Sequence, residues 1–414
     1  MIDKITFKDT NGEIRLEIPL KLRKRVCRKQ FFDVTYIDDF RKIMNTPYFQ
    51  KSKDFSLKFN LCCAVADRLS TSVAYLNKHL KHPKTEEGFL SFLMFACMMR
   101  DAVDAILEEF DVQYNYRNEG QFQFFKDVYV NSKIYNPEKD IPTDDKFFEY
   151  FRSLTFAHPV ETNRAKFLRK ELNEKHYCPF VLINRLWGDP ECVGARIYTN
   201  VSKDILDVSI PFDRIKNYLK FKYELLSLAT DYLNQKYLDL EMEWKKDEVN
   251  RSLAPLEILQ EIKKKLEQRC EETYGIPELI LFLKYKPSLK KNEKSTLEYQ
   301  KAIVDCLPSL CDAIEQLDYE KLYSVIESVL YVRPKNAEKI DYQLGCIYAD
   351  LKSVTDTARY LYTLGCVQWV VKTFAHKWVK INEEMPADEI LFLISAACYL
   401  EENTKKSKEA CFGM

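Results

Sequence analysis

Glycine is scarce in this chain, 9 residues in 414. A phosphate-cradling loop or a dinucleotide-binding turn needs several closely spaced glycines, because only they take the required backbone angles and let a phosphate approach. Neither G-x-x-x-x-G-K nor G-x-G-x-x-G is present, which disfavours P-loop hydrolysis and Rossmann cofactors. H-E-x-x-H and G-x-S-x-G are missing as well, which disfavours zincin proteolysis and serine-esterase chemistry. Neither sign of charge is in excess: Lys plus Arg and Asp plus Glu each number 63. No general attraction to nucleic acid or membranes follows, so an RNA partner would be held by a local patch. No apolar run reaches the ~18–20 residues of a membrane span, so no membrane partner is expected. No apolar signal segment opens Met1–Leu20, so a cytoplasmic location is expected, with the 13 cysteines reduced. None of them forms a C-x-x-C pair, which disfavours a cysteine zinc site, and no metal or cofactor is expected.

What is present is a mainly α pattern with enough apolar residues, 46%, for folded cores. Lys4–Asp9 and Glu13–Pro19 alternate around Asn11-Gly12 and predict a β-hairpin. A basic run follows over Lys21–Lys29, with Arg23, Lys24, Arg25, Arg28 and Lys29 as candidate RNA-phosphate contacts. Helical spacing predicts helices over Phe55–Leu80, Glu87–Phe110, Gln121–Ser132 and Asp144–Ala157, the last capped by Thr143 or Asp144. Cys178–Trp187, Val193–Thr199 and Ile205–Pro211 read as short antiparallel strands that could join the N-terminal hairpin in one small sheet. Asp213–Asn250 returns to a long helical pattern. Further helices are expected over Leu256–Tyr274, Pro277–Leu283, Glu298–Gln316, Tyr319–Val332, a broken Asp341–Lys380 and Asp388–Glu401, with Lys284–Ser295 a loop or hinge and a frayed tail after Glu402. The expected domains are 1–50 (hairpin and basic segment), 51–250 (helical bundle with a β insertion near 178–211) and 251–414 (all-helical).

The stretch Tyr150–Arg164, Y-F-R-S-L-T-F-A-H-P-V-E-T-N-R, carries the chemistry. Phe147, Phe151, Leu154 and His158 fall on one helical stripe, and Pro159 should stop the helix at Ala157 or His158. Imidazole is the usual side chain for moving a proton near neutral pH, and a guanidinium grips a phosphate oxygen with paired donors. Arg152 and His158 are six positions apart, about 120° on an ideal helix, so they converge only if the helix ends or kinks there. The spacing alone is unspecific, since Arg169 precedes His176 by a similar seven positions.

Tyr150–Pro159 resembles the R-x4-6-H signature of the HEPN superfamily, in which an apolar helix ends in a phrase like R…AHP; Arg152, Ala157, His158 and Pro159 match. The resemblance covers about 54–164, and Ser153 stands where the family often has asparagine. It implies a HEPN-like bundle and metal-independent endoribonuclease activity. The 2′-hydroxyl would attack the adjacent phosphorus, with Arg152 on the scissile phosphate and His158 in proton transfer or phosphate positioning. It further implies homodimers with facing motifs, and a role as a toxin or phage-defence effector, as in many members. Arg100, Asp101 and Asp104 interrupt the apolar helix Phe89–Phe110 and are read either as orienting Arg152 or His158 or as a salt bridge within the bundle.

Two other functions compete. A non-catalytic helical interaction or regulatory protein would explain the charge balance and the C-terminal helical region, which could hold a protein partner. A metal hydrolase would use His79 and His82, spaced i, i+3, with acidic residues. His376 is expected to pack beside Trp378, and His176 to sit in a charged connector.

Overall fold

The computed structural model describes residues 3–9, 12–18, 30–112, 122–183, 190–334, 340–352, 356–382 and 384–412. The fold is mainly α with small antiparallel β elements. It divides into two compact units, Met1–Gln235 and Lys236–Met414.

The first unit opens with a hairpin of β1 (Asp3–Asp9) and β2 (Gly12–Ile18), paired Asp9 to Gly12. Helices α1 (Thr35–Met44), α2 (Pro47–Lys51), α3 (Ser56–Lys78) and α4 (Glu86–Glu109) follow. Lys58 Nζ donates to the Glu109 carbonyl at 2.7 Å, so the start of α3 meets the end of α4 and the two run antiparallel. Thr85 caps α4 by accepting from the Gly88 N–H at 3.1 Å, with Glu86 and Glu87 complementing the helix dipole. The expected third helix shrinks to α5, Lys126–Val130. The preceding turn is instead held by Asp144, a buried carboxylate that accepts backbone N–H bonds from Gln123, Phe124 and Phe125. A side chain thus replaces a helical turn as the acceptor.

Asp144 also opens α6 (Asp144–Arg152), where Thr143 Oγ1 accepts from the Lys146 N–H. Phe147, Phe151 and Leu154 are fully buried. Phe147 stacks on Phe125 at 5.3 Å and Phe151 meets Phe89 of α4 at 6.2 Å. After α6 come β3 (His176–Tyr177), β4 (Val181–Leu182), β5 (Cys192–Thr199) and β6 (Leu206–Pro211). Within the strand expected over Cys178–Trp187, β4 alone forms among the described residues, and β3 precedes the span; residues 184–189 lie outside the described residues. β4 and β6 both pair with Gly194 and Ala195, so they flank β5 on opposite sides, while β3 pairs with its far end at Tyr198 and Thr199. This sheet is separate from the N-terminal hairpin, contrary to the expectation of one shared sheet. At Gly194 a Cβ would fall 2.3 Å from the Val208 carbonyl oxygen, which only glycine avoids. Helix α7 (Phe212–Glu224) packs on α4 through Phe212 and Phe92, 4.9 Å apart. The boundary between units falls within α8 (Leu226–Lys246).

The second unit is all-helical among its described residues: α9 (Pro255–Gln268), α10 (Ile276–Lys284), α11 (Glu293–Gln316), α12 (Tyr319–Leu330), α13 (Asp341–Asp350), α14 (Thr357–Thr373) and α15 (Ala387–Phe412). Leu259, Ile262, Phe282, Tyr299, Ile303, Leu310, Ile326 and Phe392 are buried in one core. Gly275 opens α10 at φ 69°, and a Cβ there would lie 2.4 Å from Ile326 Cγ2. Within Lys284–Ser295, expected to be a loop or hinge, 285–289 form a loop that leads through a short turn at Lys290–Asn292 into α11, and that loop is pinned. Asn292 is fully buried and exchanges bonds with the Lys380 backbone at 2.8 and 2.7 Å, and Glu389 accepts from Ser288 Oγ at 2.6 Å. The tail expected to fray after Glu402 continues as helix to Phe412.

Candidate functional site

Beyond Arg152 the backbone ladder of α6 widens. The His158 N–H donates to the Ser153 carbonyl, five residues back, at 2.8 Å, closing a π turn over Ser153–Ala157. Insertions of this kind recur at functional sites, because they re-aim side chains without ending the helix's packing. Thr155 Oγ1 donates back to the Phe151 carbonyl at 2.8 Å and occupies an acceptor that the widened ladder frees. His158 then leaves the helix at φ −143°, ψ 54°, as a residue before proline should.

The chain after His158 is stapled to the sheet. The His158 carbonyl accepts from the Glu161 N–H at 3.1 Å and from Thr162 Oγ1 at 2.9 Å. The Cys178 N–H donates to the Pro159 carbonyl at 2.7 Å, and Thr162 and His176 exchange both backbone bonds at 2.9 Å. The position of His158 is therefore fixed by β3 as well as by α6.

Arg152, Ser153, Ala157 and His158 line a cleft of about 510 Å³ together with Arg164, Lys166 and Phe167. His158 is exposed. Arg152 is half-buried, and its Nε is enclosed without a hydrogen-bond partner. An unsatisfied buried N–H costs free energy, and the protein does not fully satisfy this guanidinium. The charge of Arg152 also reaches α4. Burial pushes the Cys97 thiol up to about 11, and Arg100 and then Arg152 oppose that rise.

The other proposed site residues lie elsewhere. Arg100 is nearly buried and donates to Asp101 through Nε and Nη2 at 3.0 and 2.7 Å; its Nε is 4.0 Å from Asp104. Lys222, fully buried on α7, pairs with Asp104 at 2.7 Å and with Asp145 at 3.4 Å, and Tyr218 donates to Asp145 at 2.6 Å. Arg100, Asp101 and Asp104 are not among the residues lining the cleft. They form an ion-pair network that joins α4, α6 and α7, because a cation inside an apolar bundle needs carboxylates around it. Burial raises the Asp104 carboxyl, while Lys222 opposes the shift. Arg23, Lys24, Arg25, Arg28 and Lys29 lie outside the described residues.

The remaining histidines are held by backbone. His79 Nδ1 meets the Tyr75 carbonyl at 2.8 Å. His82 Nδ1 and Nε2 meet the Pro83 and Cys192 carbonyls at 2.9 and 3.1 Å, which leaves neither nitrogen for a metal. His376 Nδ1 meets the Val371 carbonyl at 2.9 Å. Among the described residues no group of three or more His, Cys, Asp or Glu is placed to hold a metal ion. None of their helices is long and apolar enough to cross a membrane.

His176, read from sequence as part of a charged connector, is almost fully buried. Tyr150 Oη and His176 Nδ1 are 2.7 Å apart, and His176 Nε2 is 3.3 Å from Glu174 Oε1. Glu174 Oε2 accepts from the Arg169 N–H at 2.8 Å. The bond to His176 holds the Glu174 carboxyl below its ordinary range. A carboxylate on Nε2 requires Nε2–H, so Nδ1 accepts and Tyr150 donates. Glu174 and His176 alternate on one face of an extended segment; that i, i+2 pattern was the available sequence signal.

Compared with known proteins, the chain matches no family model, no curated protein and no solved structure.

Proposed function

We propose that the chain is a HEPN-like, metal-independent endoribonuclease with Arg152 and His158 as its reacting pair. One observation carries the reading: Arg152 and His158 line the same cleft. In the proposed reaction the RNA 2′-oxygen bonds to phosphorus and loses its proton, the bond from phosphorus to the 5′-oxygen breaks, and that oxygen gains a proton. The products are a 2′,3′-cyclic phosphate and a 5′-hydroxyl. His158 moves one of the two protons, and Arg152 neutralises charge growing on the phosphoryl oxygens. Ser153 supports the pair through the carbonyl that anchors the His158 N–H. A cytoplasmic homodimer acting as a toxin or defence effector completes the proposal.

The test is cleavage of varied RNAs in EDTA, with end-group analysis. His158→Ala and Arg152→Ala should each lower the rate by about 10²–10⁴-fold. Unchanged cleavage in both variants refutes the assignment.

A second reading has its own support. Tyr342, Leu361, Tyr362 and Trp369 of the second unit are 65, 61, 54 and 54% exposed, and aromatic side chains of this kind anchor protein interfaces. A non-catalytic interaction protein is favoured if no RNA is cut and a stable protein complex is lost on Trp369→Ala.

A further inference from the structure

The cleft carries more positive charge than the proposed chemistry uses. Its charged lining residues are Lys146, Arg152, Arg164 and Lys166 against Asp140 and Glu149. Lys146 and Glu149 pair with each other at 3.0 Å on one helix face, which cancels both. Arg152, Arg164 and Lys166 then face Asp140 alone, in a chain whose total charge is balanced. Arg164 and Lys166 are exposed, and neither makes an ion pair among the described residues. They line the same cleft as Arg152, on the segment that leaves the Thr162–His176 bridge.

Unpaired cations gathered in one concave cleft concentrate an anion with more than one charge. The lining is partly apolar, with the half-buried Ile141 and Pro142 available to a base. A cleft of about 510 Å³ lies in the range that encloses small ligands and excludes a double helix. RNA is read in this way where single-stranded bases are splayed out of a helix.

We infer that Arg164 and Lys166 form a second phosphate subsite in this cleft, holding the phosphate next to the one at Arg152, so that the ligand is a single-stranded polynucleotide and not a free nucleotide. The inference rests on the proposed function for its choice of polymer, but its binding test is separate from cleavage.

The probe is a fluorescein-labelled 2′-O-methyl oligouridylate about twelve residues long, within single-strand site sizes. Its blocked 2′-oxygen cannot attack phosphorus. Binding to the full chain is followed by anisotropy over a salt series. Each phosphate neutralised contributes a slope of about −0.7 in log K against log salt. Arg164→Gln/Lys166→Gln should therefore flatten the slope by about 0.7 and weaken low-salt binding by about tenfold or more. Lys290→Gln/Lys291→Gln, with the same charge change on exposed residues of the second unit, should leave both quantities unchanged. Circular dichroism confirms that the variants are folded. The inference is overturned if the wild type does not bind, if neither double variant alters the slope, or if both alter it equally. Failure of the nuclease reading looks different: the slope change appears, yet unmodified RNA is not cut.

Discussion

Removing one oxygen at Tyr150 should measurably weaken the first unit. Tyr150 is 3% exposed and His176 2%, and their hydroxyl–Nδ1 bond is 2.7 Å long. With Nε2–H directed at Glu174, Nδ1 is an acceptor that no water reaches. Tyr150→Phe keeps the ring, which packs edge-on against Phe167 at 4.8 Å, and leaves Nδ1 without a donor. A buried polar group orphaned in this way costs about 1–3 kcal/mol. For a cooperative unit of 150–250 residues, about 2–4 °C of midpoint is lost per kcal/mol, so the drop should be roughly 2–12 °C. Calorimetry or urea titration at neutral pH measures it, and the same substitution in a His176→Leu background gives the control. With no Nδ1 to orphan, Tyr150→Phe should cost less there by about 0.5–3 kcal/mol, the usual coupling of residues in contact. Equal costs in both backgrounds would refute the donor–acceptor assignment.

Other expectations follow from the same packing logic. Gly275→Ala places a Cβ at positive φ within 2.4 Å of Ile326 Cγ2; it should cost about 1–3 kcal/mol, read as a lower urea midpoint of the second unit. Lys222→Met leaves Asp104 and Asp145 without their shared cation. Their side chains are 42 and 36% exposed, so the loss should be about 1–3 kcal/mol, below that of a fully enclosed pair. In that variant the Asp104 carboxyl, already raised by burial, should titrate higher still by carboxyl NMR. Burial also holds Tyr150, Tyr218, Tyr299 and Tyr348 well above the ordinary phenol range. A raised folded-state value contributes stability below the unfolded value, near ~10, and loses it as pH rises. Tyrosinate absorbance should therefore appear together with loss of helical circular dichroism above about pH 10, and exposed tyrosines alone should titrate reversibly without unfolding.

The helices were legible wherever one face is apolar at regular spacing. Ser56–Lys78 and Glu86–Glu109 lie within two residues of their expected limits, because Leu69, Val73, Phe92 and Ile106 recur on buried faces. Thr143 and Pro159 marked the two ends of the helix that carries Arg152. The widening at Ser153–Ala157 was not legible, since a ladder of i to i−5 bonds leaves no compositional mark. The stub at Lys126–Val130 was overcalled because the carboxylate that replaces its first turn, Asp144, comes from later in the chain. Arg100, Asp101 and Asp104 form a cluster legible in the sequence, but Lys222, the cation paired with Asp104, is more than a hundred positions away. His176 was passed over for a related reason: its burial depends on Tyr150, which only the fold brings near.

The bridge between Thr162 and His176, reinforced by the Cys178–Pro159 bond, works as a clamp at the base of an arm. Between its ends the segment 163–175 is tied down again by the buried Phe167 and Leu168. A change of length within 163–166 would therefore move Arg164 and Lys166 between two fixed points.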